Sequence, residues 1–270
     1  MHDEYSYPPR AAGDQSGTGY DHVSNPALRQ DSSSSFRNDP NRVLAPHPHA
    51  AYPPLQHTWQ RLRTFLAASY PELDDSLNLP VLADELNSLE LRLNMPLPSS
   101  VRESYLCHDG QDVDGGVTDG IFFGLALLPL EDVLREWTFW RAVERDPSTG
   151  ANPRLLATMG SLPPKWVKRA YANRGWLPLI SDRSGNYVGV DLDPGPGGEW
   201  GQVIVFGRDF DRKCVLWRGE GDGGWGRWLA GFADELESGE GWEADGAGGN
   251  DSVSRSRSRC VRLARIMGVS

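Results

Sequence analysis

The stretch that decides the fold runs from Gly175 to Lys213 and reads GWLPLISDRSGNYVGVDLDPGPGGEWGQVIVFGRDFDRK. Short apolar runs alternate there with clusters of Gly, Pro, Asn and Asp, which is the pattern of successive antiparallel strands joined by turns. We therefore predict four strands, at residues 177–180, 187–192, 202–206 and 214–217. The turns between them are Ser184-Gly185-Asn186, a Pro- and Gly-rich loop at 194–198, and a longer hairpin connection at 207–211.

The segments on either side of these strands show the periodicity of amphipathic helices. Helices are predicted at residues 55–70, 81–93, 100–108, 130–144 and 163–173, with a last one from 225 to 236, and a short strand at 121–125. Ser100 to Glu103 fits a capping box, and Gly110 is expected to end the third helix. Helices first, then a strand meander, then a closing helix predict an α+β fold, with N-terminal helices packed on a mainly antiparallel sheet.

Composition divides the 270 residues into a domain and two tails. Residues 1–54 are rich in Pro, Ser, Asn and Gly, and residues 241–270 return to Gly and Ser before a basic Arg-Ser end, so both tails are predicted to be disordered. The predicted domain is 55–240. The net charge is −10, and an acidic domain suits basic partners better than phosphate backbones.

The sequence carries none of the familiar catalytic or ligand-binding signatures. Cys107, His108 and Asp109 are adjacent, and neighbouring helical side chains point too far apart to form a relay, so a buried Cys and a helix-end His are favoured. The loops that begin at Asp112 and Asp191 resemble calcium loops but lack the Glu required at the twelfth place. The three cysteines are far apart, which predicts a reducing compartment. No metal, cofactor, secretory signal or membrane span is expected.

Several separated motifs follow one recurring pattern. In the decisive stretch the matching positions are Trp176, Pro178, Asp182, Gly185, Asn186, Gly189, Asp191, Gly201, Gln202, Gly207, Arg208 and Asp209. Upstream, LPSSVRESYLCHDGQ at 97–111 and GIFFGLALLPL at 120–130 match two further elements. The chain therefore resembles the fungal cell-wall-assembly regulators (glucan synthesis regulatory proteins) of the SUKH superfamily, over roughly residues 55–240.

The resemblance implies a non-enzymatic protein-interaction or scaffold domain that regulates fungal cell wall assembly through β-1,3-glucan synthesis, cell-integrity signalling and morphogenesis. The implied partners are proteins: cell-integrity signalling components, with kinases and the glucan or chitin synthesis machinery as candidates. No nucleic acid partner is expected, and the implied location is cytoplasmic, enriched at sites of polarised growth. An alternative, from bacterial members of the superfamily, is an acidic immunity-type module that binds and blocks a toxin-like protein. A hydrolase built on carboxylates such as Asp182 and Asp191 is disfavoured because no positioned acid–base pair is visible.

Three loops, at 109–116, 182–186 and 191–200, form the predicted protein-binding surface, because acids, Gly and Trp cluster there without helical or strand periodicity. The candidate residues are Asp109, Gly110, Asp182, Gly185, Asn186, Asp191, Asp193, Trp200, Arg208 and Asp209. A structural interpretation stays open, in which Gly185 and Asn186 form a turn and Asp182 caps it. Trp176, Trp200 and Trp217 are candidate contact anchors beside the loops, although core packing is favoured for them.

Overall fold

The computed structural model describes residues 52–112 and 120–239. The helices are α1 (Leu55–Ser69), α2 (Pro71–Asp75), α3 (Ala83–Leu93), α4 (Ser99–Tyr105), α5 (Leu130–Arg145), α6 (Pro153–Thr158) and α7 (Gly224–Ser238). The strands are β1 (Ala126–Leu127), β2 (Gly160–Leu162), β3 (Trp176–Ser181), β4 (Asn186–Asp191), β5 (Gln202–Gly207) and β6 (Arg212–Trp217).

The six strands form one sheet in the order β1-β3-β4-β5-β6-β2. Strands β3 to β6 are an antiparallel meander, β1 extends it antiparallel at one edge, and β2 joins the other edge parallel to β6. All residues of β3, β4 and β5 are buried, which explains why their sequences read as near-continuous apolar runs. The predicted α+β class and the four predicted central strands are confirmed.

Helices cover both faces of this sheet. Tyr187 of β4 points towards α5, where its hydroxyl donates to Glu136 at 2.7 Å and its ring contacts Trp140. The next residue, Val188, lines a groove with Trp228 and Phe232 of α7, so α7 covers the opposite face. The α1 helix packs on α7 and α4 and buries Trp59, whose indole N–H donates to Ser104 Oγ at 3.1 Å.

The packed chain begins before the predicted boundary at residue 55. Tyr52 is 6% exposed, and its hydroxyl donates to Glu103 Oε1 at 2.8 Å. Its ring lies against Gly226 of α7, where an added Cβ would come within 2.7 Å of the ring. Residues 1–51, 113–119 and 240–270 lie outside the described ranges. They include most of both predicted tails. No helix in 52–112 or 120–239 has the length and apolarity needed to cross a bilayer.

Two local predictions are wrong, and two short elements were not predicted. Residues 121–125 form a turn closed by a bridge between Phe122 and Leu125, and the strand follows at β1. Residues 163–173 are not helical. Their carbonyl groups accept hydrogen bonds from the loop at 194–198 (Gly195 N–H to Trp166 and Gly197 N–H to Lys165) instead of bonding along a helix. The segment before them instead supplies α6 and β2, which the sequence pattern did not indicate.

The predicted capping box at Ser100 is also wrong. The α4 helix starts at Ser99, so Ser100 already lies within it, and its hydroxyl donates to the Asp222 carbonyl at 2.6 Å. The helix ends at Tyr105, five residues before Gly110. Gly110 has a φ of +70°, and a Cβ there would lie 2.3 Å from Pro129 N, so glycine is required by close packing and not by a helix end.

The tryptophans differ in burial, and this includes the three candidate contact anchors. Trp140, Trp176 and Trp225 are buried, so Trp176, a candidate contact anchor, is a core residue. Trp137, Trp200, Trp217 and Trp228 are partly buried and pack against the core.

Candidate functional site

The structure divides the ten candidate residues among three separate places. Five of them meet at one end of the sheet, where the β3–β4 turn and the β5–β6 turn lie side by side because Asn186 of β4 pairs with Gly207 of β5. We call residues 182–186 and 207–209 the turn platform. It contains Asp182, Gly185, Asn186, Arg208 and Asp209.

The Asp182 carboxylate organises the first turn of the platform. Its Oδ1 accepts the backbone N–H groups of Ser184 at 2.7 Å and Asn186 at 3.0 Å. Its Oδ2 accepts the side-chain amide of Asn186 at 2.8 Å. The carboxylate therefore caps the turn, in the arrangement typical of Asx turns.

Asn186 links the two turns to each other. Its Nδ2 donates to Asp209 Oδ2 at 2.9 Å as well as to Asp182, and its Oδ1 accepts the Asp209 backbone N–H at 3.0 Å. Arg208 N–H adds a bond to the Gly185 carbonyl at 2.9 Å. Because Asn186 is only 9% exposed, these bonds form with little competition from water.

Glycine at 207 makes this close approach possible. Its φ is +142°, and a Cβ would lie 2.4 Å from the Gly185 carbonyl oxygen. The two turns therefore contact each other backbone to backbone, which is what glycine permits at such positions.

The outer face of the turn platform is exposed and charged. The side chains of Arg208 and Asp209 form an ion pair and are 59% and 57% exposed. Hydrogen bonds from Arg208 and Asn186 hold the pKa of Asp209 below its usual range. Arg183 and Ser184 at the tip of the first turn are also exposed. The platform is thus a rigid scaffold that presents a few polar side chains to solvent.

Asp191, Asp193 and Trp200 lie at the opposite end of β4. Asp191 is fully buried, and it accepts from Gln202 Nε2 at 2.9 Å and from Asp193 N–H at 3.0 Å. Burial raises its pKa to about 7, against the opposing effect of those hydrogen bonds. Gln202 also binds the Trp166 carbonyl and Glu199 N–H, so the Asp191–Gln202 pair fixes the loop at 194–200. Trp200 packs partly against the core.

Asp109 and Gly110 lie in a third place, between α4 and β1. Asp109 Oδ1 accepts Leu130 N–H at 2.7 Å and so caps the start of α5. Burial raises the Asp109 pKa, against the opposing effect of the Leu130 bond. The remainder of this predicted loop, residues 113–116, falls outside the described residues.

Cys107 and His108 do not act together. His108 Nδ1 is 3.0 Å from the Asn78 carbonyl oxygen, and its ring contacts the edge of Trp59. Burial raises the pKa of the Cys107 thiol to about 11. The prediction of a buried Cys and a helix-end His is wrong in detail, because Cys107 is only half-buried and His108 lies three residues beyond the end of α4.

Two structural residues were missed in the sequence. Gln111 is fully buried, where its Oε1 accepts the N–H groups of Ile121 and Leu127, so it ties the HDGQ motif to β1. Lys213 is fully buried and donates to the Phe210 carbonyl at 2.6 Å. Its ammonium group lies over the rings of Tyr171 and Trp176, and burial lowers its pKa to about 8. A lysine within an apolar strand was the available signal.

An apolar groove of about 240 Å³ runs between α7 and the sheet. Its lining includes Phe123, Trp217, Trp228 and, as its charged group, Glu235. It lacks the several convergent polar groups of an active site. Within 52–112 and 120–239, no group of three or more His, Cys, Asp or Glu side chains is placed to hold a metal ion.

Comparison with known proteins accounts for the shared motif. The model of the SMI1 / KNR4 family (SUKH-1) matches residues 80–221, more than half of the chain, and this range contains the turn platform and the Asp191–Gln202 pair. The chain belongs to the SMI1/KNR4 (SUKH-1) family. The family motif therefore falls on residues that this structure uses to join loops.

The similar proteins are fungal. A KNR4/SMI1 homolog of Yarrowia lipolytica is 37% identical over an alignment of 233 residues that covers 72% of this chain and 32% of that protein. The glucan synthesis regulatory protein of Neurospora crassa is 36% identical over 70% of this chain and 39% of its own length. The cell wall biosynthesis/cell cycle regulator smi1 of Schizosaccharomyces pombe is 38% identical over 72% of this chain and 38% of its own length. The matched part thus spans between about a third and two fifths of the length of these relatives.

Proposed function

We propose that this chain is a non-enzymatic protein-interaction domain that regulates fungal cell wall assembly, and that the turn platform is a principal contact surface. The observation that carries the proposal is the set of hydrogen bonds by which Asn186 joins the two turns. It holds two turns rigid while Arg183, Ser184, Arg208 and Asp209 remain exposed. Pre-organised loops bind with a smaller loss of conformational entropy than mobile ones.

The environment of the acids supports a binding role over a hydrolytic one. Asp182 is occupied by three hydrogen bonds within its own turn. Asp191 is fully buried at the other end of the strand. The two carboxylates are separated by the length of β4, about 15 Å or more, whereas a glycosidase needs its pair within about 10 Å.

The names of the relatives indicate the cellular process in which we place this chain. Proteins named as glucan synthesis and cell wall assembly regulators share this domain. We therefore assign the chain to regulation of β-1,3-glucan synthesis and cell-integrity signalling as a scaffold. Its partners are then cell-integrity signalling proteins, including kinases, or the glucan and chitin synthesis machinery, met in the cytoplasm at sites of polarised growth. We also propose that 52–239 forms the folded unit between two tails.

Affinity purification from fungal cells tests this proposal. The full chain is compared with a platform variant, Arg183→Glu/Arg208→Ala, that leaves the Asp182–Asn186–Asp209 bonds in place. A matched control is Arg92→Glu/Arg227→Ala, which makes the same charge change and also removes one exposed ion pair, Arg227–Glu220.

We expect the platform variant to lose wall-synthesis or signalling partners that the control retains, with unfolding temperatures within about 2 °C for both. Equal partner sets for all three proteins would refute the platform as the contact surface. Turnover of a glucan by the purified chain, lost on substitution of Asp182 or Asp191, would replace the binding role by a hydrolytic one.

A further inference from the structure

The acidic domain contains one strongly basic segment. Residues 141–174 hold seven basic and two acidic residues, whereas the other described residues hold 11 basic and 23 acidic ones. The segment covers the end of α5, then α6, β2 and the connection to β3. A reversal of charge sign within one domain indicates a surface for an anionic partner.

Contacts assemble part of this segment into a continuous surface. The Trp137 indole N–H donates to the Arg174 carbonyl at 2.7 Å, and the Arg141 guanidinium lies 5.5 Å from the Trp137 ring centroid. Arg145 and Arg174 both lie close enough to Arg141 to lower its pKa, after the larger effect of burial.

The surface continues along the end of the sheet opposite to the turn platform. Asp193 pairs with Lys168 and lies near Arg174. Trp166 lies two residues before Lys168, and the Arg218 guanidinium is 5.1 Å from its ring centroid. We call this surface, from Arg145 through Arg174 and Lys168 to Arg218, the basic stripe.

The basic stripe has unused binding capacity. Among the described residues, no carboxylate lies within ion-pair distance of Arg145, Arg174 or Arg218, and all three side chains are exposed. Arg141 pairs with Glu144, yet its Nε and Nη2 are buried without a hydrogen-bond partner. Cations held close together repel one another, and an anion bound by the exposed Arg145 and Arg174 side chains would relieve that repulsion.

We propose that the basic stripe binds an acidic peptide segment of a partner protein, with carboxylates or phosphates on Arg145 and Arg174 and the Trp137 and Trp166 rings as flanking platforms. The surroundings favour a peptide over a nucleic acid. The stripe is a single line of cations bordered by Glu144, Asp146 and Asp193, and the rest of the domain is acidic. A long phosphate backbone would meet repulsion on both sides. The inference is independent of the turn platform.

Fluorescence anisotropy on the full chain tests the proposal. The probes are a labelled decaglutamate, a labelled peptide with phosphoserines, and a single-stranded RNA with a matching number of negative charges. The variant is Arg145→Glu/Arg174→Glu. The control, Arg92→Glu/Arg227→Glu, makes the same change in net charge away from the basic stripe and the turn platform, and it also removes one exposed ion pair, Arg227–Glu220.

We expect one or both peptides to bind, and binding to weaken as salt rises from about 50 to about 300 mM. The stripe variant should bind about tenfold more weakly, because each reversal replaces attraction by repulsion, and the control should change affinity less than about twofold. Tighter binding of the phosphopeptide would identify a phosphorylated partner. Tighter binding of decaglutamate would identify a partner segment rich in Asp or Glu.

A second readout separates binding from structural support. Replacing Arg145 and Arg174 relieves repulsion on Arg141 but places acids beside Glu144, Asp146 and Asp193, so the stripe variant should unfold within about 3 °C of the wild type while it binds less well. The proposal is overturned if neither peptide binds at low salt, if RNA binds more tightly than both peptides, or if the control loses as much affinity as the stripe variant.

Discussion

Removal of the Asn186 side chain should loosen the turn platform and destabilise the whole domain. Asn186→Ala deletes the bonds to Asp182 Oδ2 at 2.8 Å, Asp209 Oδ2 at 2.9 Å and Asp209 N–H at 3.0 Å. A bond to a charged partner contributes about 1.5–3 kcal/mol and a neutral one about 1 kcal/mol. Asp209 is 57% exposed and can rehydrate, so its carboxylate bond counts for less. After the entropy of the released side chain, we expect a loss of about 2–3 kcal/mol.

Urea unfolding followed by tryptophan fluorescence measures this loss. The midpoint should fall with an unchanged m-value, and the unfolding temperature should fall by about 5–10 °C for a domain of this size. Ser184→Ala is the matched control, because its exposed side chain makes no recorded bond to the platform, and it should change stability by less than about 0.5 kcal/mol. An Asn186→Ala protein within about 0.5 kcal/mol of the wild type would refute the argument that Asn186 joins the turns.

Four further outcomes are expected, all measured by equilibrium unfolding. Asp182→Arg should cost about 2 kcal/mol or more because three bonds are lost, and wild-type stability in this variant would mean that Asp182 does not cap the turn. Gly207→Ala should cost at least about 2 kcal/mol from its contact with Gly185, and a neutral effect would show that the turns can separate. Burial raises the pKa of Asp191 to about 7, whereas the ordinary pKa of Asp is near 4. The contribution of this group to stability is therefore complete below pH 4 and falls as pH rises from 4 to 7. Asp191→Asn should remove that fall, and an unchanged dependence of stability on pH would contradict the raised pKa. Burial lowers the pKa of Lys213 to about 8, whereas the ordinary pKa of Lys is near 10.4. The wild type should therefore gain stability as pH rises from 8 to 10.4, and Lys213→Met should abolish this gain. The same dependence of stability on pH in both proteins would mean that Lys213 is solvated.

The central strands were predictable because their signals are local. Apolar runs of strand length lie between turns rich in Gly, Pro, Asn and Asp, and each strand pairs with the next one in sequence. The class and the closing helix follow from the same periodicities. Strand β2 and the irregular segment at 163–173 depend instead on β6 and on the loop at 194–198, which are distant in sequence. Short-range patterns contain no information about such partners.

The candidate site was predictable in part. The motif includes Asp182, Asn186 and Asp209, but only their hydrogen-bond partners distinguish a capping role from a surface role. The structure supports a capping role for Asp182. The side chains exposed for contact with a partner are those of the neighbouring residues Arg183, Ser184, Arg208 and Asp209. Successive turns of a meander lie at alternate ends of a sheet, so the loops at 182–186 and 191–200 cannot form one surface. The summed charge of the domain hides the basic stripe, because acidic residues elsewhere outnumber its cations.

Growth of fungal strains on wall-binding dyes tests the central claim most directly. The chromosomal gene is replaced by the wild type, by Arg183→Glu/Arg208→Ala, by the control Arg92→Glu/Arg227→Ala, or by a deletion, and protein levels are compared by immunoblot. We expect the deletion and the platform variant to be hypersensitive to the dye and to wall-lytic enzymes, with altered glucan or chitin content, although the variant protein accumulates normally. The control strain should grow as the wild type does. A deletion strain with normal dye resistance and wall composition, in the absence of a paralogue, would contradict the assignment to cell wall assembly, and a resistant platform variant would contradict the proposed surface.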